Sequence, residues 1–181
     1  MNVLTPENSL LLIIDVQEKL VNALDKDIIV KRVTNLAKSA RLLDIPVVVT
    51  EQYPKGLGKT VETLSAAFAE DVPVFEKVTF NALEADGVLE KIKSYGRKQI
   101  VICGIETHIC VHQTAAALLR EGFEVYVVKD ACASRNKYEF KQGIELMESN
   151  GAKVTCVEIV LFEWLKTAKN PHFKEIQALI K

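Results

Sequence analysis

Short apolar runs alternate with longer stretches of helical periodicity along the whole chain. The short runs are rich in Val and Ile, which is typical of parallel strands buried on both faces of a sheet. This alternation predicts βαβ units and an open, doubly wound α/β sheet. The predicted strands lie at residues 10–15, 46–50, 72–76, 100–103, 125–129 and 154–157.

Helices are predicted where apolar residues recur at intervals of three and four. Val33, Leu36 and Ala40, for example, form one stripe that can pack on the sheet. The segment 51–60 contains Gly and Pro and is interpreted as a long functional loop between elements. The predicted helices cover residues 28–43, 83–95, 110–120 and 138–150, and two further amphipathic segments cover 159–169 and 173–181.

The composition indicates one domain that spans residues 1–181. With 181 residues, of which 49% are hydrophobic, the chain can bury one sizeable core but is short for two domains. Its 23 basic and 24 acidic residues give a net charge of -1. A nearly neutral protein has no overall field to attract nucleic acid or an acidic membrane surface, so a small-molecule substrate is the better expectation.

The sequence also indicates a reducing, cytoplasmic location. The apolar run at 10–14 has no basic leader before it, and no run approaches the roughly 18 apolar residues of a membrane span. We therefore expect neither a signal peptide nor a membrane segment. The four cysteines are far apart and form no CxxC pair, which is not the pattern of a disulfide-rich protein.

Cys110 is the first candidate for chemistry, because ligands of a parallel sheet gather beyond the carboxyl ends of its strands. Thr107 suits the N-cap of the helix that follows, which would place the Cys110 thiol in the first helical turn. Backbone N–H groups and the helix dipole there can lower a thiol pKa from about 8.5. The alternative is a small, buried core residue, and Cys103, Cys132 and Cys156 are interpreted in that way.

Asp15 and Lys77 follow two other predicted strands. The Asp15 carboxylate ends an apolar run, so it must reach the sheet edge or be buried at a high desolvation cost. It is a candidate base, or else an aspartate that caps a helix or stabilises a turn. Lys77 could stabilise a nearby thiolate and carboxylate, or be an ordinary solvated lysine.

Three strings in this order resemble the isochorismatase-like, or cysteine hydrolase, superfamily. They are Ile14-Asp15-Val16-Gln17, Phe75-Glu76-Lys77 with Phe80 following, and Gly104-Ile105-Glu106-Thr107-His108-Ile109-Cys110-Val111. The resemblance is greatest to the small isochorismatase domain-containing branch, through Glu51-Gln52-Tyr53-Pro54 with Gly56-Leu57-Gly58, Asp130-Ala131-Cys132-Ala133-Ser134-Arg135, and Asn170-Pro171-His172-Phe173-Lys174-Glu175-Ile176.

This resemblance implies a three-layer, Rossmann-like fold with a six-stranded parallel sheet flanked by helices, and a homo-oligomer. It implies that Asp15, Lys77 and Cys110 form the catalytic triad. It further implies a cis peptide between Ile105 and Glu106, and an oxyanion hole formed by the backbone N–H groups of Glu106 and Cys110. In the resulting hypothesis Asp15 accepts the thiol proton, Lys77 supports the charges, and Cys110 attacks an amide-like carbonyl to form an acyl-enzyme.

The resemblance also leaves alternatives open. The Asp-x-His metal motif of nicotinamidases is replaced here by Thr50-Glu51-Gln52-Tyr53-Pro54, so neither a metal site nor a cofactor is expected. The chain could instead be an oligomeric binding or regulatory protein with a vestigial site, or an ether hydrolase of the isochorismatase type. A redox role with Cys103 and Cys110 is disfavoured by their separation.

Several residues near these strings are candidates for substrate binding, with ordinary packing as the alternative. Glu106 could narrow the pocket or select a cationic substrate, or it could point outward and do little. His112 is expected on the helix surface or in helix packing. The candidate pocket residues are Gln17, Tyr53, Phe80, Glu106, Thr107 and His108.

Overall fold

The computed structural model describes residues 3–24 and 27–181. Its centre is a six-stranded sheet in the order β3-β2-β1-β4-β5-β6. All neighbouring strands pair in parallel. The predicted α/β class and six-stranded parallel sheet are therefore confirmed. The strands are β1 (Ser9–Ile14), β2 (Val47–Gln52), β3 (Val74–Lys77), β4 (Gln99–Ile105), β5 (Glu124–Ala133) and β6 (Lys153–Thr155).

Helices connect the strands, and the apolar faces predicted from the sequence pack on the sheet. In the described ranges these are α1 (Glu18–Leu24), α2 (Asp27–Leu42), α3 (Pro54–Leu57), α4 (Glu62–Ser65), α5 (Val88–Ser94), α6 (His112–Arg120), α7 (Lys137–Ser149), α8 (Val157–Leu165) and α9 (Phe173–Leu179). Short 3-10 turns cover Pro6–Asn8 and Ala82–Glu84, and a π-helical turn covers Thr107–Val111. None of the described helices is long and apolar enough to cross a membrane.

The two central strands form the middle of the core. Every residue of β1 and β4 is buried, as expected for strands covered on both faces. Trp164 of α8 is also fully buried, and its indole N–H donates to the Ser9 hydroxyl at 3.0 Å. This bond satisfies the one polar group of a large side chain inside the core.

Several elements differ from the sequence prediction. The segment 51–60 is not one loop, since β2 continues to Gln52 and α3 begins at Pro54. The helix predicted at 83–95 begins only at Val88, because Gly87 takes a left-handed conformation (φ +80°) that separates it from the preceding 3-10 turn. Helix α1 was not predicted.

Strand β5 is longer than predicted and ends at Ala133. A register shift between Ile102 and Gly104 leaves extra residues on β5, so that Gly104 pairs with Cys132. Such an irregularity bends a strand and redirects the residues that follow it. The end of β5 consequently reaches the carboxyl end of β4.

The strand order reverses between β1 and β4, and the two strands are in close contact at that point. Gly104 has a φ of +125°, and a Cβ atom added there would overlap the Ile14 carbonyl oxygen. Only glycine fits this position. In open α/β sheets this reversal point forms a crevice beyond the strand ends, where ligands bind.

Candidate active site

Asp15 lies directly after β1, at the point where the strand order reverses. Its backbone is left-handed (φ 51°), and its side chain is fully buried. The hydroxyl group of Thr50, on β2, donates to one carboxylate oxygen of Asp15 at 2.7 Å. The carboxylate is therefore held by the neighbouring strand as well as by its own.

Lys77, the last residue of β3, extends its ammonium group to Asp15. The Lys77 Nζ atom lies 2.7 Å from the other Asp15 carboxylate oxygen, and neither side chain has solvent-exposed surface. Lys77 also donates to the Gln52 side-chain oxygen at 2.6 Å and to the Thr79 carbonyl at 3.2 Å. A buried ion pair is tolerated when further hydrogen bonds satisfy its charges, and these contacts supply them.

Cys110 lies in the π-helical turn after β4, and only 6% of its surface is exposed. Burial, and after it the Asp15 carboxylate, raise the pKa of the Cys110 thiol to about 12, while Lys77 opposes them. The Cys110 thiol thus interacts with both Asp15 and Lys77, so the three side chains of the predicted triad lie near one another. The expectation of a lowered thiol pKa is contradicted, because desolvation and a nearby anion outweigh the helix terminus.

Thr107 does not act as the predicted N-cap. The cap position is taken by Glu106, without a side-chain capping bond. Thr107 is fully buried, and within the described part of the chain its hydroxyl oxygen has no hydrogen-bond partner. The reason is that the first turn is π-helical, which displaces the start of the helix relative to a regular α-helical N-terminus.

Glu106 is held by an ion pair with Arg135, the second residue after β5. Its carboxylate oxygens lie 3.0 and 3.2 Å from Arg135 Nε, and one of them accepts from the Arg135 backbone N–H at 2.9 Å. The Glu106 side chain is therefore held by Arg135, while its role in narrowing the pocket or selecting a substrate stays a prediction. The Ile105–Glu106 peptide bond is cis.

The other candidate pocket residues differ in their surroundings. Gln17 is buried and joins β2 to the next loop, since its amide donates to the Gln52 and Gly58 carbonyls and accepts from the Gln52 N–H. His108 hydrogen-bonds to Ser134 at 2.9 Å, and its backbone packs against Gly143 of α7. Tyr53 and Phe80 are both more than half exposed.

Thr50 and Gln52 are site residues that the sequence analysis did not single out. They alternate on β2, so both side chains point to the same face, where one contacts Asp15 and the other contacts Lys77. Glu51 points to the opposite face and accepts two hydrogen bonds from Thr60. The alternation of side chains along β2 could have indicated that Thr50 and Gln52 share a face. It could not have identified their partners without the position of β2 between β1 and β3.

The histidines near Cys110 do not form a metal site with acidic or thiol side chains in the part of the chain that the structure describes. In the ranges 3–24 and 27–181, no three His, Cys, Asp or Glu side chains are placed to share a metal ion. His112 has a buried Nδ1 atom without a hydrogen-bond partner among the described residues, and burial lowers the pKa of this side chain. A neutral imidazole is therefore favoured at His112.

Comparison with known proteins gives consistent matches. The family model described as the isochorismatase domain matches residues 9–159. Isochorismatase domain-containing protein 2 of Xenopus laevis is 39% identical over 175 residues, covering 96% of this chain and 83% of the relative. The three candidate catalytic residues, Asp15, Lys77 and Cys110, lie within the range that the family model matches.

Two solved structures are similar over almost the whole chain. A Caenorhabditis elegans protein named MAR1 ribonuclease has a TM-score of 0.93 and 37% identity, with 99% of this chain and 92% of that chain covered. The YcaC gene product of Escherichia coli, described as an octameric hydrolase of unknown specificity, has a TM-score of 0.89 and 25% identity, with 98% and 94% covered.

Proposed function

The chain belongs to the family of isochorismatase-like hydrolases, and on that premise we propose that it cleaves small amides through a cysteine acyl-enzyme. Cys110 is the nucleophile, Asp15 the base, and Lys77 the stabilising cation. The observation that carries the proposal is the fully buried Asp15–Lys77 ion pair next to the Cys110 thiol. Such a charged pair is costly to bury and is concentrated at functional sites.

In the proposed reaction the thiol is protonated at rest, since its pKa is raised to about 12. Asp15 takes the proton as the sulfur attacks the amide carbonyl, and the charge on the carbonyl oxygen is stabilised by the backbone N–H groups of Glu106 and Cys110. The C–N bond then breaks, and the leaving amine takes the proton from Asp15. Water attacks the thioester and releases the acid and the free thiol.

Lys77 holds the Asp15 side chain in position during this cycle through the 2.7 Å contact between its ammonium and the carboxylate. The ammonium also donates to the Gln52 side-chain oxygen, so it is held by two partners. Restricting the base in this way supports proton transfer, which depends on geometry first and on pKa second.

The proposal also covers the oligomeric state, the location and the size class of the substrate. We propose that it assembles as a homo-oligomer, which is supported by the octameric description of the YcaC neighbour. A cytoplasmic location stays a prediction and is supported by the four cysteines, all of them free. The substrate is proposed to be a small molecule, and an RNA arm in the assay below tests the activity named for the C. elegans neighbour.

The test is to trap the acyl-enzyme. Purified protein is incubated with a panel of small primary amides, and peptide mass spectrometry is used to find a thioester on Cys110. The thioester should form in the wild type and in Cys156→Ala, a matched control that removes another free cysteine, but not in Cys110→Ala. An adduct that survives Cys110→Ala, or cleavage of RNA without any amide turnover, would contradict the proposal.

A second candidate function is a binding protein that retains the site without turnover. The observation that favours it is the raised pKa of Cys110, which keeps the thiol protonated and weakly nucleophilic at neutral pH. The two functions differ in the fate of a bound amide. The assay measures amide binding and ammonia release in the wild type and in Cys110→Ala at equal protein concentration. Binding by the wild type without release of ammonia would support the binding function alone.

A further inference from the structure

Gly143 lies in the middle of α7 and is buried. Its backbone is not in the left-handed region, so an alanine could adopt the same helical conformation. Glycine is less favourable than alanine inside a helix, because it loses more conformational freedom on folding. The reason for a glycine at this position therefore lies in the contact that its missing side chain allows.

The missing side chain lets α7 contact the backbone of the turn that carries Cys110. A Cβ atom at Gly143 would lie 2.9 Å from the His108 Cα atom, 3.0 Å from its backbone nitrogen and 3.2 Å from its Cβ atom. Non-bonded carbon atoms are most stable at about 3.5–4.0 Å, so the helix or the turn would have to move. The backbone atoms of His108 cannot rotate away as the end of a flexible side chain could.

His108 and Cys110 belong to one short, closed stretch of backbone. The N–H groups of Ile109 and Val111 both donate to the Glu106 carbonyl, at 3.1 and 3.3 Å. The acceptor precedes His108, and the two donors flank Cys110. A displacement of His108 is therefore passed on to Cys110 through these bonds.

The turn is also held from the end of β5. The His108 Nδ1 atom lies 2.9 Å from the Ser134 hydroxyl oxygen, and Arg135 binds Glu106 through its backbone N–H and its Nε atom. The turn cannot move relative to β5 without straining these bonds. A methyl group added at Gly143 would consequently have to be accommodated by a strained shift of the turn, by a shift of α7, or by both.

From this backbone contact we propose that Gly143 is a positioning residue, which fixes the place of the Cys110 thiol relative to Asp15 and Lys77. The inference rests on the proposed function for the role of Cys110, and it adds a residue that acts through the His108 backbone rather than on the substrate. Asp15 and Lys77 act on the thiol in opposite directions, so their net effect depends on where the sulfur lies.

The test is alkylation of Cys110 in Gly143→Ala, with the partly exposed Cys156 of the same molecule as the reference thiol. Iodoacetamide transfers its CH2 carbon to the sulfur and releases iodide. The rate constants at both cysteines are measured at pH 8 by peptide mass spectrometry. Their ratio should differ from the wild-type ratio by at least about threefold, since half a pKa unit changes the thiolate fraction by that factor. An unchanged ratio in the folded variant overturns the proposal.

Gly96→Ala is the matched control, because it adds the same methyl group where nothing lies within 4 Å. Gly96 follows α5 and has a φ of +65°, which alanine adopts only with strain. This control should therefore lower the midpoint of urea denaturation but leave the ratio of the two alkylation rates unchanged. If it changes the ratio as much as Gly143→Ala does, global stability rather than the contact controls Cys110, and the proposal is wrong.

A second variant decides the question if circular dichroism shows that Gly143→Ala does not fold. Ser134→Ala removes the hydrogen bond to His108 without adding bulk, and it should change the ratio by at least about twofold. Ser149→Ala removes a hydroxyl that bonds only to the Leu146 carbonyl of the same helix, and it should have no effect. A wild-type ratio in Ser134→Ala would then overturn the inference.

The positioning role and the proposed hydrolysis fail in different ways. With the amides that acylate the wild type, Gly143→Ala should slow thioester formation by at least about tenfold, because attack depends on the placement of the sulfur. A wild-type acylation rate in this variant overturns the positioning role and leaves hydrolysis standing. If no amide acylates the wild type but the alkylation ratio changes, hydrolysis is wrong and the positioning of Cys110 stands.

Discussion

The two ion pairs at the carboxyl edge of the sheet differ in their exposure to solvent. In the Lys77–Asp15 pair neither side chain is exposed, whereas in the Arg135–Glu106 pair the arginine side chain is 66% exposed and the glutamate 10%. The inner pair joins the ends of β3 and β1, and the outer pair joins the ends of β5 and β4. An ion pair between a carboxylate and a cationic side chain thus lies on each side of the crevice, but the effective dielectric constant around the two pairs is very different.

This difference separates the roles of the two pairs. A buried pair gains little net stability, but the loss of one partner leaves an uncompensated charge in a dry environment. An exposed pair contributes little to the free energy of unfolding, and the loss of one partner costs little. We therefore expect the inner pair to control both stability and chemistry, and the outer pair to control mainly the charge that a ligand meets.

Breaking the inner pair should give the largest effect. Lys77→Met leaves the Asp15 carboxylate buried without a cation, and we expect a loss of about 3–5 kcal/mol in the free energy of unfolding. The measurement is urea denaturation followed by circular dichroism. The double variant Asp15→Asn/Lys77→Met should lose less than the sum of the single changes, since no charge remains. A loss below about 1 kcal/mol in Lys77→Met would mean that the pair is hydrated in solution.

Asp15→Asn should distinguish two roles of Asp15, namely accepting the thiol proton and raising the pKa of Cys110 by its charge. The Asp15 carboxylate raises the pKa of Cys110, so its removal should lower that pKa and move the alkylation profile to lower pH. Acylation by an amide should nevertheless fall by about 10²- to 10⁴-fold, because the proton acceptor is lost.

The control for this prediction is Thr50→Val, which removes a hydrogen bond to Asp15 but keeps its charge. The alkylation profile of this variant should change less than that of Asp15→Asn. Alkylation and acylation that slow down together in Asp15→Asn would contradict a base role, since both would then report only a distorted site.

Much of this arrangement could be predicted from the sequence. Short apolar runs of Leu, Ile and Val marked all six strands, Asp15 and Lys77 followed two of these runs, and Cys110 was marked by the helix that follows a third. The reason is that burial on both faces of a parallel sheet imposes a continuous apolar pattern, and chemistry is confined to the strand ends. Family resemblance added the roles of these residues, which remain proposals.

The remaining features depend on tertiary contacts. The raised pKa of Cys110 follows from burial in a π-helical turn that packs against α7, and neither is visible in local sequence. The partner of Glu106 depends on the register shift that extends β5 toward β4. The role of Gln52 required the strand order, because its contact with Lys77 joins neighbouring strands rather than neighbouring residues.

Breaking the outer pair should give the smallest effect and thereby complete the comparison. Arg135→Gln should cost at most about 1 kcal/mol of unfolding free energy, because the arginine is largely solvated and Glu106 keeps the backbone N–H of residue 135 as a donor. A double-mutant cycle with Glu106→Gln, measured by urea denaturation, should give a coupling energy well below that of the Asp15–Lys77 cycle. If the outer coupling equals the inner one, exposure does not distinguish the pairs, and Glu106 with Arg135 must be counted as part of the buried machinery.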